Sequence, residues 1–153
     1  MKKFVFSALI LFCLVITSQA QIGKKVGQKF GGGIIFDVTP DGQHGLIAET
    51  KDQSTGCQWD YAMTAIRNPG THSTDGKQFS DWRLPTKDEL IKLFKNIKYV
   101  GNFEKEIYWS STVQYAPPPI GAGNFMWVVH FRTGESFYTT KTNSNRVRSI
   151  RSF

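Results

Sequence analysis

Six residues, Asp81-Trp82-Arg83-Leu84-Pro85-Thr86, fix where one helix of this chain must begin. Pro85 biases Leu84 toward an extended backbone, so no helix can run through it. Thr86 is a helix-capping residue type, and Glu89 follows three positions later. That spacing is a capping box, in which each side chain satisfies the other residue's free backbone N–H. Leu90, Leu93, Phe94 and Ile97 then recur at i, i+3, i+4 and i+7, which is one apolar helical face. Asp88, Lys92 and Lys95 fall on the opposite face, with Asp88 and Lys92 spaced for an i,i+4 pair. The pattern predicts a helix over 86–97.

The rest of the chain must supply what this helix packs against. Ile34 to Val38 and His44 to Glu49 read as strands joined by the turn Thr39-Pro40-Asp41-Gly42, where Pro40 presets φ. His44 is expected at the surface. The run Gly31-Gly32-Gly33 lacks a following Gly-Lys-Ser/Thr and reads as flexible backbone or a close strand crossing. Lys51 to Gly56 reads as a polar loop. Trp59, Ala62, Met63 and Ile66 mark a helix over 59–67, which Asn68-Pro69-Gly70 ends. Thr71 to Ser80 is a second polar loop. Beyond the long helix, strands are predicted over 106–113, 125–131, 136–142 and 146–153, the second rich in aromatic and β-branched residues. Val147 and Ile150 are out of phase, which predicts a bulge or a strand buried on both sides. Tyr115 to Asn124, with three prolines and two glycines, must be a loop. Segregated helices and hairpin-connected strands indicate an α+β domain with a mostly antiparallel sheet.

The first 20 residues have the charged start, short apolar run and small-x-small end of a secretory signal peptide. The apolar run is too short for a membrane anchor. Cleavage would remove Cys13 and leave 133 of the 153 residues as one domain, residues 21–153, with Cys57 as the lone cysteine and no internal disulfide. It would also leave 17 basic against 12 acidic residues, a net charge of +5. Such an excess favours anionic partners such as acidic glycans or other polyanions. Nucleic acid is not expected, since no basic run or reader motif is present. No cofactor is implied. His44, His72 and His130 are scattered, with no zinc-ligand spacing.

Four motifs occur in order: Asp81-Trp82-Arg83-Leu84-Pro85-Thr86 with Glu89-Leu90; Tyr108-Trp109-Ser110-Ser111-Thr112; Trp127-Val128-Val129 with Phe131 and Gly134; and Val147-Arg148-Ser149-Ile150-Arg151. Together they resemble the bacterial Lcl C-terminal-like domain, a family largely of unknown function related to the C-type-lectin-like and sulfatase-modifying-factor folds. The resemblance runs from about Val26 to Phe153. It implies a domain closed by pairing of its first and last strands, helices on one side, and a loop-rich binding face between Thr112 and Asn145. It further implies export, with some members acting as adhesins. Many members carry a cysteine where this chain has Ser149, so a disulfide from Cys57 to that strand is unavailable. The calcium-dependent sugar-binding tripeptides of C-type lectins are absent, and Ala116-Pro117-Pro118-Pro119 stands in that loop.

The expected function is therefore a non-catalytic, exported binding module for a glycan, an acidic polymer or an envelope protein. Gln114, Tyr115, Asn124, Tyr138, Lys141, Asn143 and Asn145 are the candidate ligand-binding residues, because tyrosine and asparagine beside turns give adaptable contacts. Trp82, Trp109 and Trp127 are expected in the core. Arg83, Arg148 and Arg151 are expected to pair with Asp81, Glu89 or Glu106. Two alternatives stay open: a thiol-dependent enzyme using Cys57, which needs an exposed thiol of depressed pKa, and a structural subunit of an envelope assembly.

Overall fold

The structure is a computed structural model that describes residues 23–115 and 123–153. Residues 1–20, expected as a signal peptide, and Ala116-Pro117-Pro118-Pro119 lie outside the described residues. The fold is α+β, with two sheets of mostly antiparallel strands and three helices.

The first sheet has the order β1-β2-β3-β9. Strand β1 (Lys29–Phe30) turns through Gly31 and Gly32 into β2 (Gly33–Val38). Gly33 sits where a Cβ would strike the carbonyl of Ala48 on β3, so the glycine run marks a close strand approach. Strand β3 (Gly45–Glu49) returns after the predicted turn. Gly42 N donates to Thr39 O at 2.8 Å, and Asp41 Oδ1 accepts from Thr39 Oγ1 at 2.6 Å and Gln43 N at 2.9 Å. His44 is exposed, as expected.

The second sheet has the order β4-β8-β5-β6-β7. Strand β4 (Ser54–Cys57) falls partly in the segment predicted as a polar loop. Its sequence Ser-Thr-Gly-Cys carries no apolar alternation; pairing with β8 makes it a strand. Strands β5 (Ile107–Gln114), β6 (Phe125–His130) and β7 (Ser136–Thr140) form an antiparallel meander.

The expected final strand is two. Strand β8 (Asn145–Val147) lies between β4 and β5, and β9 (Ile150–Ser152) pairs with β3 in the other sheet. This crossover between sheets is the reason Val147 and Ile150 are out of phase. The domain is thus closed by β9 on β3, with Ala48 opposite Ile150, and not by pairing with the first strand. The crossover is anchored by Arg148, which is fully buried. Its Nε donates to Asp52 Oδ1 at 2.8 Å, Nη1 to Glu49 O at 2.9 Å and Nη2 to Asn102 O, while its guanidinium lies 3.9 Å from the Phe103 ring centre. The partner of Arg148 is thus Asp52. Arg83 and Arg151 pair as expected with Glu89 and Asp81.

Helix α1 (Trp59–Arg67) matches its predicted range, and α2 (Lys87–Lys95) starts at the predicted cap. Thr86 Oγ1 accepts from Glu89 N at 3.3 Å, and Glu89 Oε2 accepts from Thr86 N at 2.7 Å. The helix ends two residues earlier than predicted. Asn96 leaves the helix, and its Nδ2 donates to Phe36 O at 3.0 Å, tying the helix end to β2. A short helix α3 (Ile97–Val100) follows. Lys92 reaches Asp37 at 2.6 Å across to β2, so the expected pair with Asp88 does not form.

The helices do not share a side. Alternate residues of the strands feed two core clusters. Ile35, Ile47, Trp109 and Val128 pack with Ala62 and Ile66 of α1. Phe36, Ala48, Tyr108 and Val129 pack with Leu90 and Leu93 of α2. Strands β2, β3, β5 and β6 are therefore apolar on both faces, and the sheets form a middle layer between α1 and α2.

Candidate functional site

Residues Ser110, Ser111 and Thr112 interrupt the pairing of β5 with β6, where the register shifts between Trp109 and Val113. Their polar groups are all used structurally. Ser110 Oγ donates to Trp127 O at 2.7 Å, Ser111 N donates to Pro85 O at 2.8 Å, and Thr112 Oγ1 accepts from Lys87 N at 2.9 Å. The irregular segment thereby holds the start of α2 against the meander.

Beyond that point the sheet face on the α2 side is no longer covered by the helix core. Phe125 lies opposite Gln114 on β5 and Thr140 on β7, and Trp127 lies opposite Tyr138. These five residues share one face because directly opposed residues point the same way. The Tyr138 ring stands edge-on to both neighbours, 5.7 Å from Phe125 and 5.8 Å from Trp127. Tyr138 is 53% exposed, and Tyr115 at the end of β5 is 73% exposed. Lys87 Nζ sits 4.5 Å from the Trp127 ring centre. The result is an aromatic row on that face, Tyr138 exposed and Phe125 and Trp127 half-buried, bordered by an amide, a hydroxyl and a cation.

Trp82 and Trp109 are buried in the core, as expected, but Trp127 belongs to neither core cluster and faces outward. Its neighbours Met126 and Val128 point inward. Strand alternation therefore dictates that Trp127 points away from the α1-side core.

The seven candidate binding residues do not converge. Gln114 and Tyr138 lie on the aromatic face. Tyr115 and Asn124 stand at the adjoining strand ends. Lys141 turns to the other side, 4.6 Å from the Trp59 ring centre and 4.0 Å from Asp60 at the start of α1. Asn143 is exposed in the turn after β7, where its Nδ2 donates to Thr139 Oγ1. Asn145 is only 8% exposed, opposite Cys57 in the β4–β8 pair. That position removes it from any exposed loop rim.

The residues weighed for catalysis are dispersed. Cys57 is half-buried, and burial pushes its thiol above the ordinary value, with a Ser54 contact opposing. That direction is opposite to the thiolate activation that nucleophilic chemistry needs. His72 is buried, 5.7 Å from and stacked on Trp82, with Nδ1 3.2 Å from Glu49 Oε2 and Nε2 2.6 Å from Ile66 O. Both its nitrogens are thus occupied. Among the described residues, no group of three or more His, Cys, Asp or Glu side chains is placed to hold a metal ion, and no helix is long and apolar enough to cross a membrane.

No curated protein matches the chain. A family model, the Lcl C-terminal domain, matches residues 37–151, from the end of β2 to the middle of β9. That span contains all four ordered motifs, the three helices and the crossover that closes the domain, and on it the chain belongs to the Lcl C-terminal domain family.

Proposed function

We propose that the protein is a non-catalytic binding module, exported to the cell envelope or surface, that recognises a glycan through the outer face of β5, β6 and β7. One observation carries this reading: the row Phe125, Tyr138 and Trp127, with Gln114 and Thr140 beside it and Lys87 at its margin. Aromatic faces bury the C–H faces of sugar rings, and neighbouring amides and hydroxyls exchange hydrogen bonds with ring hydroxyls. The rings are held by a sheet, so little ordering entropy is lost on binding. The leader-like first 20 residues support export.

The test is binding of the 21–153 protein to a mixed glycan and polyanion array at two salt concentrations, with and without calcium. Calcium-independent retention that Trp127→Ala and Tyr138→Ala each weaken at least fivefold supports the proposal. Aromatic contacts of this kind are worth roughly 1–3 kcal/mol per ring, by analogy with stacking on nucleic-acid bases. Retention that collapses with salt but ignores both substitutions assigns recognition to charge alone and overturns the aromatic site. No retention on any glycan moves the function to a protein partner.

A further inference from the structure

A second hollow lies away from the aromatic face, between the end of α1 and the connection from Pro69 to Trp82. It encloses about 280 Å³. Ile66, Pro69, Phe79 and Trp82 give it an apolar floor, and Arg67, Lys77, Gln78 and Ser80 line it with polar groups.

Four of the six described arginines are ion-paired, among them Arg83 with Glu89, Arg148 with Asp52 and Arg151 with Asp81, and Lys29 and Lys92 pair with Asp75 and Asp37. Arg67 and Lys77 form no ion pair among the described residues, and both are exposed. The side chains of Gln78 and Ser80 likewise make no hydrogen bond among the described residues. Four side chains with free hydrogen-bonding capacity, two of them cationic, therefore surround one apolar depression.

The acidic groups nearby do not offset those cations. Asp75 and Asp81 are held by Lys29 and Arg151. Glu49 is fully buried behind the hollow, and its carboxylate already accepts from Ser73 N at 2.7 Å and Thr50 N at 2.6 Å and faces His72. The walls are also fixed in advance. Trp82 Nε1 donates to Gly76 O at 2.8 Å, Gly76 N donates to Ser73 Oγ at 3.0 Å, and Thr71 Oγ1 donates to Ala65 O at 2.7 Å. Binding there would leave the backbone and apolar walls as they are.

We propose that this hollow is a binding site for a small carboxylate with an apolar, ring-sized body. The body lies against Pro69 and Phe79, over the buried edges of Ile66 and Trp82, and the carboxylate meets Arg67 and Lys77, with Gln78 and Ser80 completing its hydrogen bonds. The volume is just under the usual range for drug-sized ligands, which limits the occupant to a single ring or short chain. The proposal is independent of the glycan reading, since no residue of the hollow belongs to β5, β6 or β7.

The experiment titrates the isotope-labelled 21–153 protein with benzoate, benzamide and acetate, following backbone amides by NMR. Benzoate is expected to give saturable shifts at Gly76, Lys77, Gln78 and Ser80. Benzamide, which lacks the charge, and acetate, which lacks the ring, bind at least fivefold more weakly. Arg67→Ala and Lys77→Ala each weaken benzoate by up to about fivefold, and the double variant abolishes saturation while the remaining spectrum shows an intact fold. Equal shifts from benzoate and benzamide, insensitivity to both substitutions, or shifts that never saturate overturn the proposal. Trp127→Ala leaves the benzoate titration unchanged, which separates this outcome from any failure of the glycan site.

Discussion

Glu49 is the residue whose loss the fold is least able to absorb. It is 0% exposed at the end of β3, and its carboxylate is the hub of the connection that follows α1. Oε1 accepts from Thr50 N at 2.6 Å, and Oε2 accepts from Ser73 N at 2.7 Å and approaches His72 Nδ1 to 3.2 Å. The carbonyl of Ile66 can only accept, so His72 donates to it from Nε2 and turns Nδ1 toward Glu49. Glu49→Ala strips the buried acceptor from these groups and from Thr50 Oγ1 and Gln53 Nε2, which donate to it at 3.2 and 3.4 Å. Each buried donor left unpaired costs about 1–3 kcal/mol, and removing one partner of a buried polar pair costs up to about 3–5 kcal/mol. Thr50 is only half-buried and can turn to water, so the net loss is set near 3–5 kcal/mol. That is a large part of the roughly 5–15 kcal/mol that holds a domain folded. Glu49→Gln keeps the shape but places an amide NH2 against donors, at about 2–3 kcal/mol. Urea unfolding followed by tryptophan fluorescence reads both, since Trp82 stacks on His72. With a slope near 2 kcal/mol per molar, Glu49→Ala moves the midpoint down by about 1.5–2.5 M. Combining Glu49→Gln with His72→Ala should be non-additive by about 1–3 kcal/mol. A midpoint shift under about 0.5 M for Glu49→Ala, or strict additivity in the double variant, refutes the hub.

Three further outcomes are expected. Gly134 has φ +78°, and a Cβ there would run into the Phe94 ring, so Gly134→Ala should cost about 2–3 kcal/mol by denaturant unfolding. Burial opposes ionisation of Glu89, but its bonds from Arg83 and from the Thr86 N–H win and hold its carboxyl below the ordinary value. The stability it contributes is present above about pH 4.3 and is lost as pH falls through the lower folded value; the gap between wild type and Glu89→Gln, read as urea midpoints, should therefore narrow below about pH 4. Cys57, with its thiol pushed up by burial, should react with a neutral alkylating agent more slowly than a free thiol at pH 7 and reach the free-thiol rate only in denaturant; fast labelling of the folded protein would restore the thiol-enzyme alternative.

What the sequence made legible was local. The capping box at Thr86 and Glu89, the turn at Pro40 and the α1 repeat each depend on residues within a few positions of one another, and the structure contains each of them. Strand β4 was not legible, because Ser54 to Cys57 has no strand pattern of its own and is recruited by β8. The burial of Glu49 was not legible either. Its acceptors serve Ser73 and His72, more than 20 residues away.

The candidate face failed for a different reason, one of parity. The window Tyr138 to Asn145 looks continuous in sequence, but neighbouring strand residues point to opposite faces. Tyr138 and Thr140 face Trp127 and Phe125, so Lys141 must turn toward Trp59. The following turn and the crossover into β8 then bury Asn145 against β4. The proposed binding surface is therefore assembled across strands, from Gln114, Phe125, Trp127, Tyr138 and Thr140, and not along one of them. The same parity hid Trp127, which looks like core beside Val128 and Val129. Those two valines enter opposite cores, which is possible only because the strand is covered on both faces there. Trp127 lies on the α2 side, toward the strand end where that cover stops, and its position relative to Lys87 at the first turn of α2 converts an apolar strand residue into an available one. The position of α2, fixed at its start by the capping box, thus decides how much of the sheet face the helix covers.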